Sequence, residues 1–288
     1  MKKLPLKIAL LLTIIIISSS SLFAQDFQGK AYYMSKTTMD MDQFGGQDMS
    51  AERKKQIQER MKSFLEKEYT LIFSKSESIY KEEEKLEAPG SGGGRRGFGA
   101  SLSGGPKYKN VQTKEVIQDQ EFFGKQFLIK DELKDLKWTM GTETKQIGQY
   151  TCFKATATVV PSGLDISSFR GPRGRNDDKS KDSTNSKEPV EPKTIEVVAW
   201  YTPQIPVNQG PDDYWGLPGL ILEVNADRTT ILCTKIVLNP TEKETIEKPK
   251  KGEEVTQTEY TEITTKKLEE MRENFGGRGG RGGGRGRN

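Results

Sequence analysis

The chain has 288 residues, of which 30% are charged and 33% hydrophobic, with a mean hydropathy of −0.72 and a formal net charge of +4. Such a composition fits one modest folded domain carrying long solvated segments, rather than two compact domains. Histidine is absent, which excludes Ser-His and Cys-His nucleophile pairs, imidazole bases and His-bearing zinc sites, and weighs against hydrolytic chemistry.

At the N-terminus Lys2, Lys3 and Lys7 precede the apolar run "IALLLTIIII", and "SSSSLFAQ" follows. A basic head, a short apolar core and small residues predict a secretory signal peptide over residues 1–24, cut after Ala24. A retained membrane span is the alternative, but the run is short of the roughly 20 residues a spanning helix needs. No cysteine lies near the cut, so a bacterial-type lipid anchor has no attachment point. Cleavage removes three lysines and no acid, leaving 264 residues with a net charge of +1. A net-basic nucleic-acid binder is therefore not expected.

From Phe27, "FQGKAYYMSKT" predicts a first strand. "MDMDQFGGQDM" (39–49) carries Met39, Met41, Met49, Asp40, Asp42 and Asp48, which offer soft and hard metal ligands. Their spacing matches no defined loop, a solvated turn explains them equally well, and no metal or cofactor is expected. In "MSAERKKQIQERMKSFLEKEY", Ser50 is a good N-cap and Glu52 suits the first turn. Ile57, Met61, Phe64 and Leu65 recur at helical spacing. Strand-like runs follow in "YTLIFSKSESIYKEE" and "YKNVQTKEVIQDQEFFGKQFLIKDEL", with Gly124-Lys125 as a hairpin corner. "WTMGTETKQIGQYTCFKATATVV" continues the pattern around a turn at Gly148. "TIEVVAWYT" and "LILEVNADRTTILCTKIVL" complete it, the last hinged at 225–227. "TQTEYTEITTKKLEEMRENF" predicts a second amphipathic helix with Ile263, Leu268, Met271 and Phe275 on its apolar stripe. Successive strands without crossover helices point to a mainly β fold: a curved antiparallel sheet or open barrel-like meander with one or two peripheral amphipathic helices.

The predicted domain spans residues 25–240, with disordered insertions at about 88–105 and 165–192. A charged segment and helix (241–275) and a Gly/Arg-rich tail (276–288) follow it. The insertions and the tail are Gly, Ser, Pro and charge without apolar periodicity, so they cannot offset ordering entropy. Arg278, Arg281, Arg285 and Arg287 on flexible glycine suit an anionic partner; a solvated tail without one is the plainer alternative. Cys152 and Cys233 are read either as a disulfide, which an exported chain permits, or as two buried thiols on separate strands.

The segment "TPQIPVNQGPDDYWGLPG" is long for a connection and is stiffened by Pro203, Pro206, Pro211 and Pro218. Its Ile205, Val207, Tyr214 and Trp215 predict an ordered loop packed against the sheet. Leu217, Pro218 and Gly219 suit a type II turn, with Gly219 at positive φ and Gly216 adding freedom before it. "WYTPQIPVNQGPDDYWGLPGLILEV" resembles the signature of the GLPGLI family of exported bacterial proteins. "LKWTMGTETKQIGQYTCFKATA" is similar to the same pattern at Trp138, Ile147-Gly148, Tyr150, Cys152 and Lys154-Ala155. The resemblance covers roughly residues 27–240. It implies a small β-rich domain of the cell envelope, periplasmic or associated with the outer membrane, and it brings no activity, cofactor or substrate.

These features predict a non-catalytic binding or accessory protein that holds an apolar ligand or a partner segment on the curved sheet. Tyr201, Asp212, Asp213, Tyr214 and Trp215 form the expected rim, and Gly216, Leu217, Pro218 and Gly219 the structural turn. Core packing is the competing role for the aromatics. The expected partner is an outer-membrane protein, lipid or anionic envelope component. An envelope hydrolase using Asp212-Asp213 with Glu223 is one alternative, although adjacent residues on extended backbone point apart. A structural docking protein of the outer membrane is the other.

Overall fold

The computed structural model describes residues 27–38, 50–83, 104–160 and 194–276. The predicted signal segment, the Met/Asp stretch at 39–49, nearly all of both insertions, and Arg278, Arg281, Arg285 and Arg287 lie outside the described residues. In chain order the elements are β1 (Gly29–Thr37), α1 (Ala51–Leu65), β2 (Glu66–Phe73), β3 (Glu77–Glu82), β4 (Lys107–Asn110), β5 (Glu115–Phe122) and β6 (Lys125–Glu132). Then come β7 (Thr139–Ile147), β8 (Tyr150–Val159), β9 (Ile195–Thr202), β10 (Leu220–Ala226), β11 (Thr229–Leu238), β12 (Glu253–Val255) and α2 (Gln257–Gly276).

The twelve strands of the described residues belong to one open sheet, ordered β12-β6-β5-β4-β3-β2-β1-β11-β10-β9-β8-β7. Every pairing is antiparallel except β12 on β6. Among the described residues the fold is thus the expected mainly β, open antiparallel meander, with two helices. Two runs of sequence neighbours, β1–β6 and β7–β11, join along a β1–β11 seam.

The connection between the runs forces the sheet to curl. β6 and β7 stand ten strand positions apart, on the order of 48 Å in a flat sheet at about 4.8 Å per strand. Residues 133–138 alone join them, and that stretch reaches roughly 25 Å when fully extended. The two arms must therefore turn toward each other. The main core fills the space between them: Tyr33, Leu71, Phe73, Ala199 and Val224 from the strands, with Ile205, Val207 and Leu217 from the β9–β10 loop.

The β1–β6 arm is covered on both faces. After β11 the chain crosses its outer side as a strap: Glu244 binds Gln28 and Lys30, and Lys248 binds Glu115 while lying over the Tyr108 ring. Ile246 of the strap packs on Tyr108, Ile117 and Leu128. The alternate residues Phe122, Phe127 and Ile129 pack with Val255 and with Tyr260 and Leu268 of α2. A reciprocal capping box starts α2: Thr256 N–H donates to Glu259 Oε2 at 2.7 Å, and Glu259 N–H donates to Thr256 Oγ1 at 3.2 Å. The packed stripe keeps the predicted Leu268 but not Ile263. Tyr260, Thr264 and Leu268 are buried while Ile263 is exposed, and the Thr264 hydroxyl donates to the Tyr260 carbonyl at 2.8 Å. Ser50 caps α1 as expected, its Oγ accepting from Arg53 N–H.

Both sheet edges are protected from pairing with another chain. β7 is mostly exposed, broken by a register shift between Met140 and Thr144, and carries Glu143 and Lys145. β12 has three residues, two of them in ion pairs with Lys125 and Lys130.

Cys152 and Cys233 are free and buried. β9 and β10 separate their strands, and both thiols lie in the main core. The buried-thiol alternative is the one realised. Burial pushes the Cys152 thiol up to about 11 and the Cys233 thiol up to about 12.

Candidate binding site under the proline-rich loop

Residues 203–219 form a closed unit. Its two limbs bond each other: Leu220 N–H donates to Ile205 O at 3.0 Å, Gly216 N–H to Asn208 O at 3.1 Å and Ile221 N–H to Gln209 O at 3.1 Å. The corner differs from the predicted type II turn. Gly219 N–H donates to Leu217 O at 2.8 Å, a three-residue turn centred on Pro218. The positive φ belongs to Gly216, at +91°. Gly219 is needed for space instead, because a Cβ there would stand 2.2 Å from the Thr202 carbonyl oxygen and 2.8 Å from Pro203 N.

Apolar residues of the loop point into the core, and two indoles tie it to the crossing between the arms. Trp215 Nε1 donates to Lys134 O at 3.0 Å, and Trp138 Nε1 donates to Trp215 O at 2.8 Å. The concave side of the sheet is therefore filled by the protein's own loop. Trp215 and Tyr201, expected on a ligand-facing rim, are buried. Both act as core residues instead, their apolar area covered by the sheet and loop.

The remaining rim residues sit on a lysine pedestal that sequence reasoning missed. Lys107 and Lys109 alternate along β4, so they share the inner face. Lys109 is wholly buried, and its Nζ donates to the carbonyls of Gly210 at 2.8 Å, Asp212 at 2.6 Å and Tyr214 at 3.3 Å. Lys107 Nζ donates to Asp212 Oδ1 at 2.6 Å and Asp213 Oδ1 at 2.7 Å. The Lys107 side chain is 11% exposed, while the two carboxylate side chains are 43% and 42% exposed. Burial pushes Lys109 down to about 7; Asp213 and Asp212 oppose that shift and Lys107 adds to it. At Lys107 burial also opposes the charge, but the two carboxylates outweigh it and hold the amine above the ordinary lysine range.

The neighbouring aspartates were expected to diverge, and the structure brings both to one ammonium. Asp212 takes φ +49°, a left-handed conformation that reverses the chain direction and that aspartate tolerates better than most residues. Tyr214 beside them is half-buried. Under the tip, Tyr69 stacks on Tyr80 at 4.7 Å, Tyr80 meets Tyr33 edge-on at 6.3 Å, and the Tyr33 hydroxyl donates to Ile221 O at 2.7 Å. Glu223, the third carboxylate of the hydrolase alternative, is engaged elsewhere, with Lys145 at 2.6 Å and Asn225 at 2.8 Å.

A family model described as a protein of unknown function (Porph_ging) matches residues 138–223, from Trp138 through the loop to Glu223. Solved structures of PNGF-II in two space groups, C2 and P21, are similar to the chain at 14% and 13% identity, with TM-scores of 0.46 and 0.44. Each match covers 83% of this chain and 33% of the other, so the chain spans about a third of their length. No curated protein matches the chain.

Proposed function

We propose that the protein is a non-catalytic binding or accessory protein of the cell envelope, which holds a segment of a partner at the Asp212–Asp213–Tyr214 tip. The observation that carries this reading is the pedestal. Two buried lysines fix the backbone and the carboxylates of a single loop tip. Burying charge is costly, and so is left-handed backbone at a non-glycine residue. Packing alone requires neither, yet the result is a pair of acceptor groups left half in solvent in a fixed arrangement. Such a tip suits a partner segment rich in hydrogen-bond donors or positive charge. Docking an apolar ligand on the concave side fits less well, because Ile205, Val207, Trp215 and Leu217 already occupy it. The hydrolase alternative also loses support, since an ammonium sits between the carboxylates where a glycosidase keeps room for sugar or water.

The envelope location rests on the basic and apolar first 24 residues. Co-purification from native envelopes, comparing the unaltered protein with the Asp212→Asn/Asp213→Asn double variant, tests the proposal. The unaltered protein should retain one stoichiometric membrane protein that the double variant releases. Equal recovery with both, or no such protein with either, would discard the tip as the docking element.

A further inference from the structure

We infer that Ser78, Tyr80 and Gln209 line an internal site beneath the loop that binds water. All three side chains are at least nine-tenths buried. Among the described residues, Ser78 Oγ, Tyr80 OH and both Gln209 side-chain atoms, Nε2 and Oε1, have no hydrogen-bond partner in the protein. An unpaired buried polar group is costly, and native proteins keep very few of them. Four such atoms on three residues therefore call for a common explanation if the residues adjoin.

Connectivity brings the three residues into one region of the fold. Ser78 pairs across β3–β4 with Lys109, and Tyr80 pairs with Lys107, so both lie beside the lysines on the inner face. The Lys109 ammonium grips Gly210, the residue after Gln209. On the other side, the Gln209 carbonyl accepts from Ile221 N–H; the Ile221 carbonyl accepts from Tyr33 OH; and the Tyr33 ring contacts Tyr80. The Gln209 backbone is thus tied to both the Lys109 side and the Tyr33 side of the same region, where we place its carboxamide.

The chemistry of the unpaired atoms selects the ligand. The carboxamide offers two N–H donors and one acceptor, and each hydroxyl can donate and accept. A bound molecule must do both and must be small. Charge gives an ion little to hold, because the Lys109 ammonium is occupied by three carbonyls and Lys107 by two carboxylates. Water meets these demands, and buried waters typically make about three hydrogen bonds to groups of this kind. The site is separate from the exposed tip, and its failure would leave the docking proposal untouched.

Magnetisation transfer from water to the Gln209 side-chain amide protons, read in the full-length protein, tests the inference directly. A long-lived water should give a cross-peak with the sign of a slowly tumbling pair, and Tyr80→Phe should weaken or abolish it. Thermal unfolding of Gln209→Leu supplies a second readout. If the amide is hydrated, its loss should lower Tm by about 2–4 °C; if it is dry and unpaired, the substitution should raise Tm. Absence of the cross-peak in the unaltered protein overturns the inference whatever the variants do, and a raised Tm overturns it too. Should Gln209→Leu fail to fold, Tyr80→Phe carries the same Tm comparison.

Discussion

Lys109 is a charged side chain without solvent, and its three carbonyl partners decide its role: only an ammonium can donate to all three. Replacing it by methionine keeps most of the volume and leaves three buried acceptors unpaired, so Lys109→Met should cost on the order of 3 kcal/mol and raise hydrogen exchange across residues 205–221. Burial has lowered its proton affinity toward about 7, whereas the unfolded chain keeps an ordinary lysine near 10.5. Between those values the unfolded state holds the extra proton, so burial of this residue makes stability rise with pH from about 7 to 10.5. Over that range the folded amine, left with two N–H groups, gives up its longest carbonyl contact, that to Tyr214. Chemical denaturation at several pH values should show that slope in the unaltered protein and its loss in Lys109→Met. The cysteines give a simpler check. Both thiols should resist alkylation in the folded protein at neutral pH and react fully in denaturant; an absence of free thiol in denaturant would mean a bridge. The lysines could not be read from the sequence. In an alternating strand, Lys107 and Lys109 mark a solvent face, and only the strap over Tyr108 and the curl of the sheet turn that face inward. The aspartates were legible as unusual, but their convergence depends on one positive φ.

At the scale of the element, the loop shows what turn chemistry can and cannot tell in advance. Four prolines and a run of apolar residues were enough to read an ordered loop lying on the sheet, and its core contacts agree. The turn type was not legible, because the need for glycine at 219 comes from the Thr202 carbonyl on β9 rather than from local φ. Gly219→Ala should therefore destabilise by about 3 kcal/mol, since backbone rather than a movable side chain stands in the way. Gly216→Ala should be harmful through φ strain instead, and a Gly216→Asn variant should recover part of the loss, as Gly219→Asn should not. Denaturant midpoints of the four variants separate the two causes. Long strands were readable from alternation and from the turn residues between them. β12 was not, because a three-residue strand of mostly charged side chains carries no period. In α2 Leu268 was legible, but Ile263 was read where Thr264, a polar residue, occupies the centre of the packed face.

For the whole molecule, stability is divided between a core closed by the loop and an arm closed by α2. Removing residues 257–288 should uncover Phe122, Phe127 and Ile129, each worth roughly 1.5–3 kcal/mol when fully buried. The truncated protein should bind an apolar dye, and the β1–β6 arm should lose exchange protection before β7–β11 does. Uniform protection in both arms would show that α2 is dispensable. The seam between β1 and β11 has its own consequence. One flank of β1 pairs with the nearby β2, whereas its other flank needs residues 229–238, nearly two hundred positions along the chain. Without that second pairing, β1 would present a strand edge open to neighbouring polypeptides. The sheet should therefore become continuous only when the eleventh strand slots in beside the first.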